Sequence, residues 1–188
     1  MADDIDRDGV AKAYARWAPI YDFVFGKVFA KGRSASIEAA DRIGGRVLDV
    51  GVGTGLSLSD YKRTTRLVGV DLSEPMLRIA QKRVAKESLG DVEGLVVMDA
   101  MRMAFADDHF DAVVAPYVLT VVPDPAKTLD ELARVTKPGG EIVLVNHVGA
   151  ERGPIAAIEA WLGKRSASLG WRPEFPWSVL GDWIASRA

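Results

Sequence analysis

The chain has 188 residues and a mass of 20.3 kDa, the span of a single domain. Its 24 Lys and Arg face 26 Asp and Glu, a net charge of −2, which excludes a globally basic nucleic-acid surface. The absence of cysteine excludes disulfides, thiolate nucleophiles and Cys-ligated metals, and two histidines are too few for a His-based metal centre without carboxylate help.

No apolar run approaches the roughly 18 residues of a membrane span, and the acidic start Met1-Ala2-Asp3-Asp4 lacks a signal-peptide pattern. A cytoplasmic location is the expectation. Residues 1–45 are mostly helical in pattern. Within them Phe25, Val28, Phe29 and Gly32 recur at i, i+3, i+4 and i+7 and share a helical face, with Lys27, Lys31 and Arg33 off that stripe. Such a basic amphipathic helix suits a bilayer interface; the alternative is that the Phe face covers the core.

From residue 46 onward, short apolar runs at 46–50, 66–70, 94–98, 110–115 and 141–147 alternate with helical patterns near 56–63, 74–89 and 124–137. Strands apolar throughout and separated by helices predict a parallel sheet covered on both faces, an α/β Rossmann-like fold. Ser73 reads as an N-cap with Pro75 in the first helical turn, and Lys137-Pro138-Gly139-Gly140 as a helix stop that turns into the last strand. Residues 149–188 form a Trp-rich, substrate-side helical segment. Its Trp161, Trp171 and Trp177 either line an acyl groove or stack on a quaternary ammonium, or simply pack.

The chemistry concentrates where the first strand ends. Asp49-Val50-Gly51-Val52-Gly53-Thr54-Gly55 is a strand running into a Gly-x-Gly-x-Gly turn, where a backbone free of Cβ atoms lets a ligand approach. Asp71 lies 20 residues after Gly51 at the end of the second strand, the spacing of an acid that accepts from ribose hydroxyls. A dinucleotide fingerprint needs a third glycine at position 56, which is Leu. The extra carboxylate of Asp49 suits a cationic amino-acid ligand better than a pyrophosphate. The competing reading is a plain Gly-rich turn with a capping Asp.

Asp49-x-Gly51-x-Gly53-x-Gly55, Asp71-x-Ser73-x-x-Met76, Asp99-Ala100 and the 107–111 approach to the fourth strand together resemble the class I S-adenosylmethionine-dependent methyltransferases. The resemblance implies that the glycine turn wraps the amino-acid part of the cofactor and that Asp71, with Leu72 beside it, holds the ribose. By the same resemblance Met76 packs on the adenine, Asp99 binds the adenine amino group near Ala100 and Met101, and Tyr117 lies beside the methionine portion. Met76 as a core helix residue is the alternative. The family's closing antiparallel strand pair has no candidate segment, so the last strands are expected to be missing.

Tyr14-Ala15-Arg16-Trp17-Ala18-Pro19-Ile20-Tyr21-Asp22, the 115–123 stretch and Val145-Asn146-His147 resemble the bacterial phospholipid N-methyltransferases, which convert phosphatidylethanolamine stepwise towards phosphatidylcholine. A looser Tyr-Asp version occurs in quinone C-methyltransferases. The resemblance implies that Tyr14 and Tyr21 touch the methionine carboxylate or the acceptor head group. It makes Tyr21, Tyr117 and His147 candidates to position the amine or take its proton. Tyr21, Phe25, Lys27, Phe29, Lys31, Arg33, Asn146 and His147 become the substrate and membrane side. The expected enzyme is a monomer on the inner face of the cell membrane, with residues 1–45 capping a core at 46–148. S-adenosylhomocysteine is its product, and neither metal nor nucleic acid takes part. A non-catalytic cofactor- or lipid-binding module is the remaining alternative.

Overall fold

The computed structural model describes residues 30–146 and 175–187. Helix α1 (Ala30–Ile43) leads into β1 (Arg46–Val50), followed by β2 (Arg66–Asp71), α2 (Glu74–Glu87), β3 (Val92–Val97) and β4 (Phe110–Pro116). Helix α3 (Pro125–Val135), β5 (Thr136–Val145) and α4 (Ser178–Ala185) complete the described chain. The five strands pair in parallel in the order β3-β2-β1-β4-β5. The order reverses between β1 and β4, and ligands bind such sheets beyond the carboxyl ends of the strands at that reversal.

Alternation along each strand sends side chains to opposite faces, and both faces are apolar. Val47, Leu67, Ala112 and Val114 pack with Ile37 and Ala40 of α1 and Leu77 and Ala80 of α2. Leu48, Val50, Val68, Val70, Val113 and Ala115 pack on the other side with Leu132 and Val135 of α3. This is the expected sheet with helices on both faces. A third cluster seats Phe175 against Leu119 and Leu129 under α4, and Trp183 Nε1 donates to Asp130 Oδ1 at 2.7 Å.

Two local expectations are corrected. Residues 56–63 form turns and not a helix. Leu58 N–H bonds the Gly55 carbonyl at 3.2 Å and Asp60 N–H the Ser57 carbonyl at 3.0 Å, three-residue closures with no helical ladder. The segment is tied instead to α1, where Asp41 accepts from the Lys62 backbone N–H (3.0 Å) and, just beyond the segment, from Thr65 Oγ1 (2.7 Å). Second, the Lys137–Gly140 turn sits inside the strand pairing. Thr136 faces Phe110, but Glu141 already faces Ala112, so these four residues bulge out of the ladder with Gly139 at φ +78°. Proline, lacking an N–H, is tolerated at such a bulge.

The loop after β3 is clamped from below. Arg134 of α3 donates to the carbonyls of Met103 (3.0 Å) and Phe105 (2.9 Å), while Glu131 accepts from Met103 N–H at 2.6 Å. Its neighbours Asp99 and Ala100 are thereby held at the carboxyl edge of the sheet.

Candidate active site

Beyond the carboxyl ends of the strands lies a cleft lined by residues of β1, β2 and β4, by Met98, Asp99 and Ala100 of the loop after β3, by the glycine turn and by Arg33 of α1. The turn is built by hydrogen bonds from its own amides. Gly51 and Val52 N–H both donate to the Val70 carbonyl, at 2.8 and 3.1 Å, and Gly53 N–H donates to Asp71 Oδ2 at 2.8 Å. Gly51, Gly53 and Gly55 all have positive φ. Two of them are glycine for different reasons. A Cβ at Gly53 would meet nothing nearer than 3.9 Å, so the space beside it is open to a ligand. A Cβ at Gly55 would stand 2.8 Å from Leu58 Cδ1 and 3.0 Å from Ala80 Cβ. Gly55 thus lets the turn pack on α2, and it does not line the cleft.

Asp71 does two jobs. Its Oδ1 accepts from Ser73 N–H at 2.8 Å while Oδ2 holds Gly53, so one carboxylate ties the β2 exit to the glycine turn. Burial raises its pKa; the Ser73, Gly53 and Leu72 amides oppose that rise. Each oxygen keeps a second lone pair for a ligand hydroxyl. Ser73 stands at the start of α2 as expected, but its side chain makes no capping bond.

Asp49 is fully buried at the end of β1. Ser57 Oγ donates to its Oδ2 at 2.7 Å and Tyr61 Oη at 3.3 Å. Its Oδ1 is buried without a hydrogen-bond partner. Burial pushes the Asp49 carboxyl up to about 6, with Asp71 adding repulsion; the Ser57 and Tyr61 bonds and the Arg33 charge work against that rise. A buried carboxylate oxygen without a donor is costly, so this wall calls for a cation or a donor from the ligand.

On the far side, Asp99 Oδ1 accepts from Met101 N–H at 2.9 Å, which spends that amide inside the loop. Asp99 and Ala100 line the cleft; the Met101 side chain does not. Tyr117 lines it from the end of β4, in a left-handed conformation (φ +62°) secured by its N–H to the Val145 carbonyl. A Cβ at Gly32 would run into the Tyr117 hydroxyl, so the glycine lets α1 close over this tyrosine. Burial raises the Tyr117 phenol, against the opposing charge of Arg33.

Of the expected site residues, Arg33, Asp49, Gly51, Gly53, Asp71, Leu72, Asp99, Ala100 and Tyr117 meet in the cleft. Gly55, Met76, Met101 and Asn146 do not line it, and Met76 is 1% exposed, a core residue. Lys31 is exposed, whereas Arg33, from the same basic stretch, turns into the cleft. Asn146 has its Oδ1 buried without a hydrogen-bond partner. Trp177 is 56% exposed and away from the cleft. Tyr14, Tyr21, Phe25, Lys27, Phe29, His147, Trp161 and Trp171 lie outside the described residues. His109 stands at the opposite edge of the sheet, against Arg46 and stacked on Phe105. Sequence reasoning missed Ser57, which lines the cleft, Tyr61 behind Asp49 in the core, neither carrying a motif, and the apolar wall of Val118, Val121 and Val122.

A parallel sheet with a glycine turn and acids at three successive strand ends defines a Rossmann-like enzyme that binds an adenosine-type cofactor. Residues 48–144 match the family model described as a methyltransferase domain. The chain is 44% identical to a phosphatidylethanolamine N-methyltransferase of Cereibacter sphaeroides, over 91% of this chain and 84% of that protein. It is 35% identical to a demethylmenaquinone methyltransferase of Renibacterium salmoninarum, over 80% of this chain and 64% of that one. Its fold matches a phospholethanolamine N-methyltransferase 2 of Haemonchus contortus solved with phosphomonomethylethanolamine and S-adenosylhomocysteine (TM-score 0.74, 22% identity, 96% of this chain and 44% of that chain). The chain belongs to the class I S-adenosylmethionine-dependent methyltransferases. The residues present fit that cofactor: open space at Gly53, a buried donorless Asp49 Oδ1 for a cationic amino group, and Asp71 and Asp99 as acceptors. Among the described residues no group of His, Asp and Glu could hold a metal, and no helix is long and apolar enough to cross a membrane.

Proposed function

We propose that this enzyme methylates the amine of phosphatidylethanolamine, stepwise towards phosphatidylcholine, at a membrane surface. The observation that carries the reading is the 44% identity to a phosphatidylethanolamine N-methyltransferase along nearly the whole of both chains. The quinone methyltransferase relative is more distant and leaves over a third of its own length unmatched.

S-adenosylmethionine supplies an electrophilic methyl group on a sulfonium. The acceptor's ammonium would have to lose its proton first, so the site would hold a neutral nitrogen in line with that methyl group, with the donor's sulfur leaving as a thioether. Holding the two ligands collinear is the main catalytic contribution. Asp49, Asp71, Asp99 and the glycine turn fix one ligand from below. Tyr117 and Arg33 face the same cleft from the acceptor side. The phosphate of the acceptor's head group suits Arg33, a guanidinium being a strong partner for it. Because its phenol is raised, Tyr117 stays protonated at neutral pH and orients the amine by hydrogen bonding, not as a base. Tyr14, Tyr21 and His147 remain the candidates for the acceptor side and for the proton.

The test is lipid mass spectrometry after expression in a bacterium that makes phosphatidylethanolamine but no phosphatidylcholine. New species heavier by one, two or three methyl groups are expected. No new lipid from a protein that binds S-adenosylhomocysteine would overturn the acceptor and favour a quinone ring or a small amine.

A further inference from the structure

Asp49 is the carboxylate that the site asks most of, and nothing on its own strand controls it. Its Oδ2 receives two hydroxyls, Ser57 Oγ at 2.7 Å and Tyr61 Oη at 3.3 Å, both from the turn segment that follows Gly55. Its Oδ1 receives none and is buried. Tyr61 is itself 3% exposed within the core on the α1 and α2 side of the sheet. A tyrosine placed in such a core normally finds a partner for its hydroxyl, and here that partner is the cofactor-site acid. Ser57 is also buried, at 6%.

We propose that Ser57 and Tyr61 are positioning residues for Asp49: by occupying Oδ2 they fix the carboxyl plane, keep it ionised, and leave Oδ1 for the cationic amino group of the bound cofactor. The inference rests on the cofactor reading of the cleft. It explains the failed helix at 56–63. A regular helix there would follow its backbone ladder, whereas the observed turns bring hydroxyls eight and twelve residues downstream onto one carboxylate. The ionised form needs this support, because burial and Asp71 on β2 both favour the protonated acid. The other charge facing it is Arg33 from α1, which favours ionisation. Tyr61, raised well above the ordinary phenol value by burial and by Asp49, remains a donor at all working pH values.

The proposal predicts a particular pH dependence. S-adenosylhomocysteine, which carries the same amino-acid group, binds through ionised Asp49, so its affinity falls as pH drops through about 6. Removing either hydroxyl weakens the ionised form and moves that fall to higher pH, by about one unit.

The experiment is calorimetric titration of S-adenosylhomocysteine from pH 5 to 9 on the wild type, Tyr61→Phe, Ser57→Ala and Ser57→Thr, with thermal unfolding of each to confirm folding. Expected are an upward shift of the midpoint in Tyr61→Phe and Ser57→Ala, a Kd about twofold weaker at pH 7 and nearly tenfold weaker at pH 5 that recovers by pH 9, and wild-type behaviour in Ser57→Thr. Equal weakening at every pH, or unchanged binding in both folded variants, would overturn the positioning role. Absence of binding by the wild type at any pH would overturn the cofactor reading itself, a distinct result.

Discussion

Asp49 and Asp111 stand on neighbouring, directly paired strands, β1 and β4, yet their carboxyls are pushed in opposite directions. At the amino edge of the sheet, Asp111 accepts from Arg46 N–H at 2.8 Å and from Lys137 Nζ at 2.7 Å, and its pKa is lowered, by the amide first and the lysine second. At the carboxyl edge, Asp49 is driven up by burial with one oxygen left bare. One edge is compensated within the protein. The other carries an uncompensated cost, a buried carboxylate oxygen that no protein donor meets.

The sharpest way to break this comparison is Asp49→Asn. The folded pKa of Asp49, about 6, lies above the ordinary 3.8 of an aspartate, so its ionised form destabilises the ligand-free protein at neutral pH. That cost shrinks as pH falls through 6 and is gone below 3.8. The amide keeps an oxygen for Ser57 and Tyr61 and removes the charge. Chemical denaturation of the ligand-free protein should show Asp49→Asn more stable than wild type by up to about 3 kcal/mol at pH 8. The gap should close towards pH 4, with S-adenosylhomocysteine binding lost. Equal stability across this range would erase the contrast between the two edges.

The glycines sharpen it. Gly55→Ala brings a Cβ within 3.2 Å of the Ala80 backbone at φ +76°, so a loss of about 2–3 kcal/mol is expected in denaturant titration. Gly53→Ala adds only the left-handed backbone strain, about 1 kcal/mol, because nothing protein-borne is near. It should nonetheless weaken S-adenosylhomocysteine at least tenfold by calorimetry, because its Cβ takes ligand space. The reverse ranking would mean that Gly53, not Gly55, holds the turn to α2.

Smallest is Lys137→Met. Asp111 has a lowered pKa, so its pairing stabilises the fold above the ordinary carboxylate range and is lost as pH falls through the folded value. The side chains are 41% and 31% exposed, which limits the effect to below about 1 kcal/mol at pH 7. The difference from wild type should vanish in acid, and a larger loss at every pH would point to packing of the lysine stem.

The strands were legible because each is apolar on both faces, a pattern that survives in one dimension. The glycine turn and Asp71 were legible because their spacing follows from strand and helix lengths. What could not be read is where side chains go once the chain leaves a regular element. Lys31 and Arg33 belong to one basic stretch in the sequence, but Gly32 lets α1 press on Tyr117, and Arg33 then enters the cleft while Lys31 stays in solvent. Spacing also could not show that both oxygens of Asp71 already hold backbone amides.

Alone, the sequence determined the parallel α/β core, the glycine turn and the acids around it, since periodicity and glycine placement act over short chain distances. Only the tertiary structure decided which side chains share the cleft. It gathered Arg33, Asp49, Ser57 and Tyr117 from α1, a strand end, the turn after Gly55 and the exit of β4, with Tyr61 behind Asp49 in the core. Burial and hydrogen bonding across those elements, not spacing, set the ionisation of Asp49.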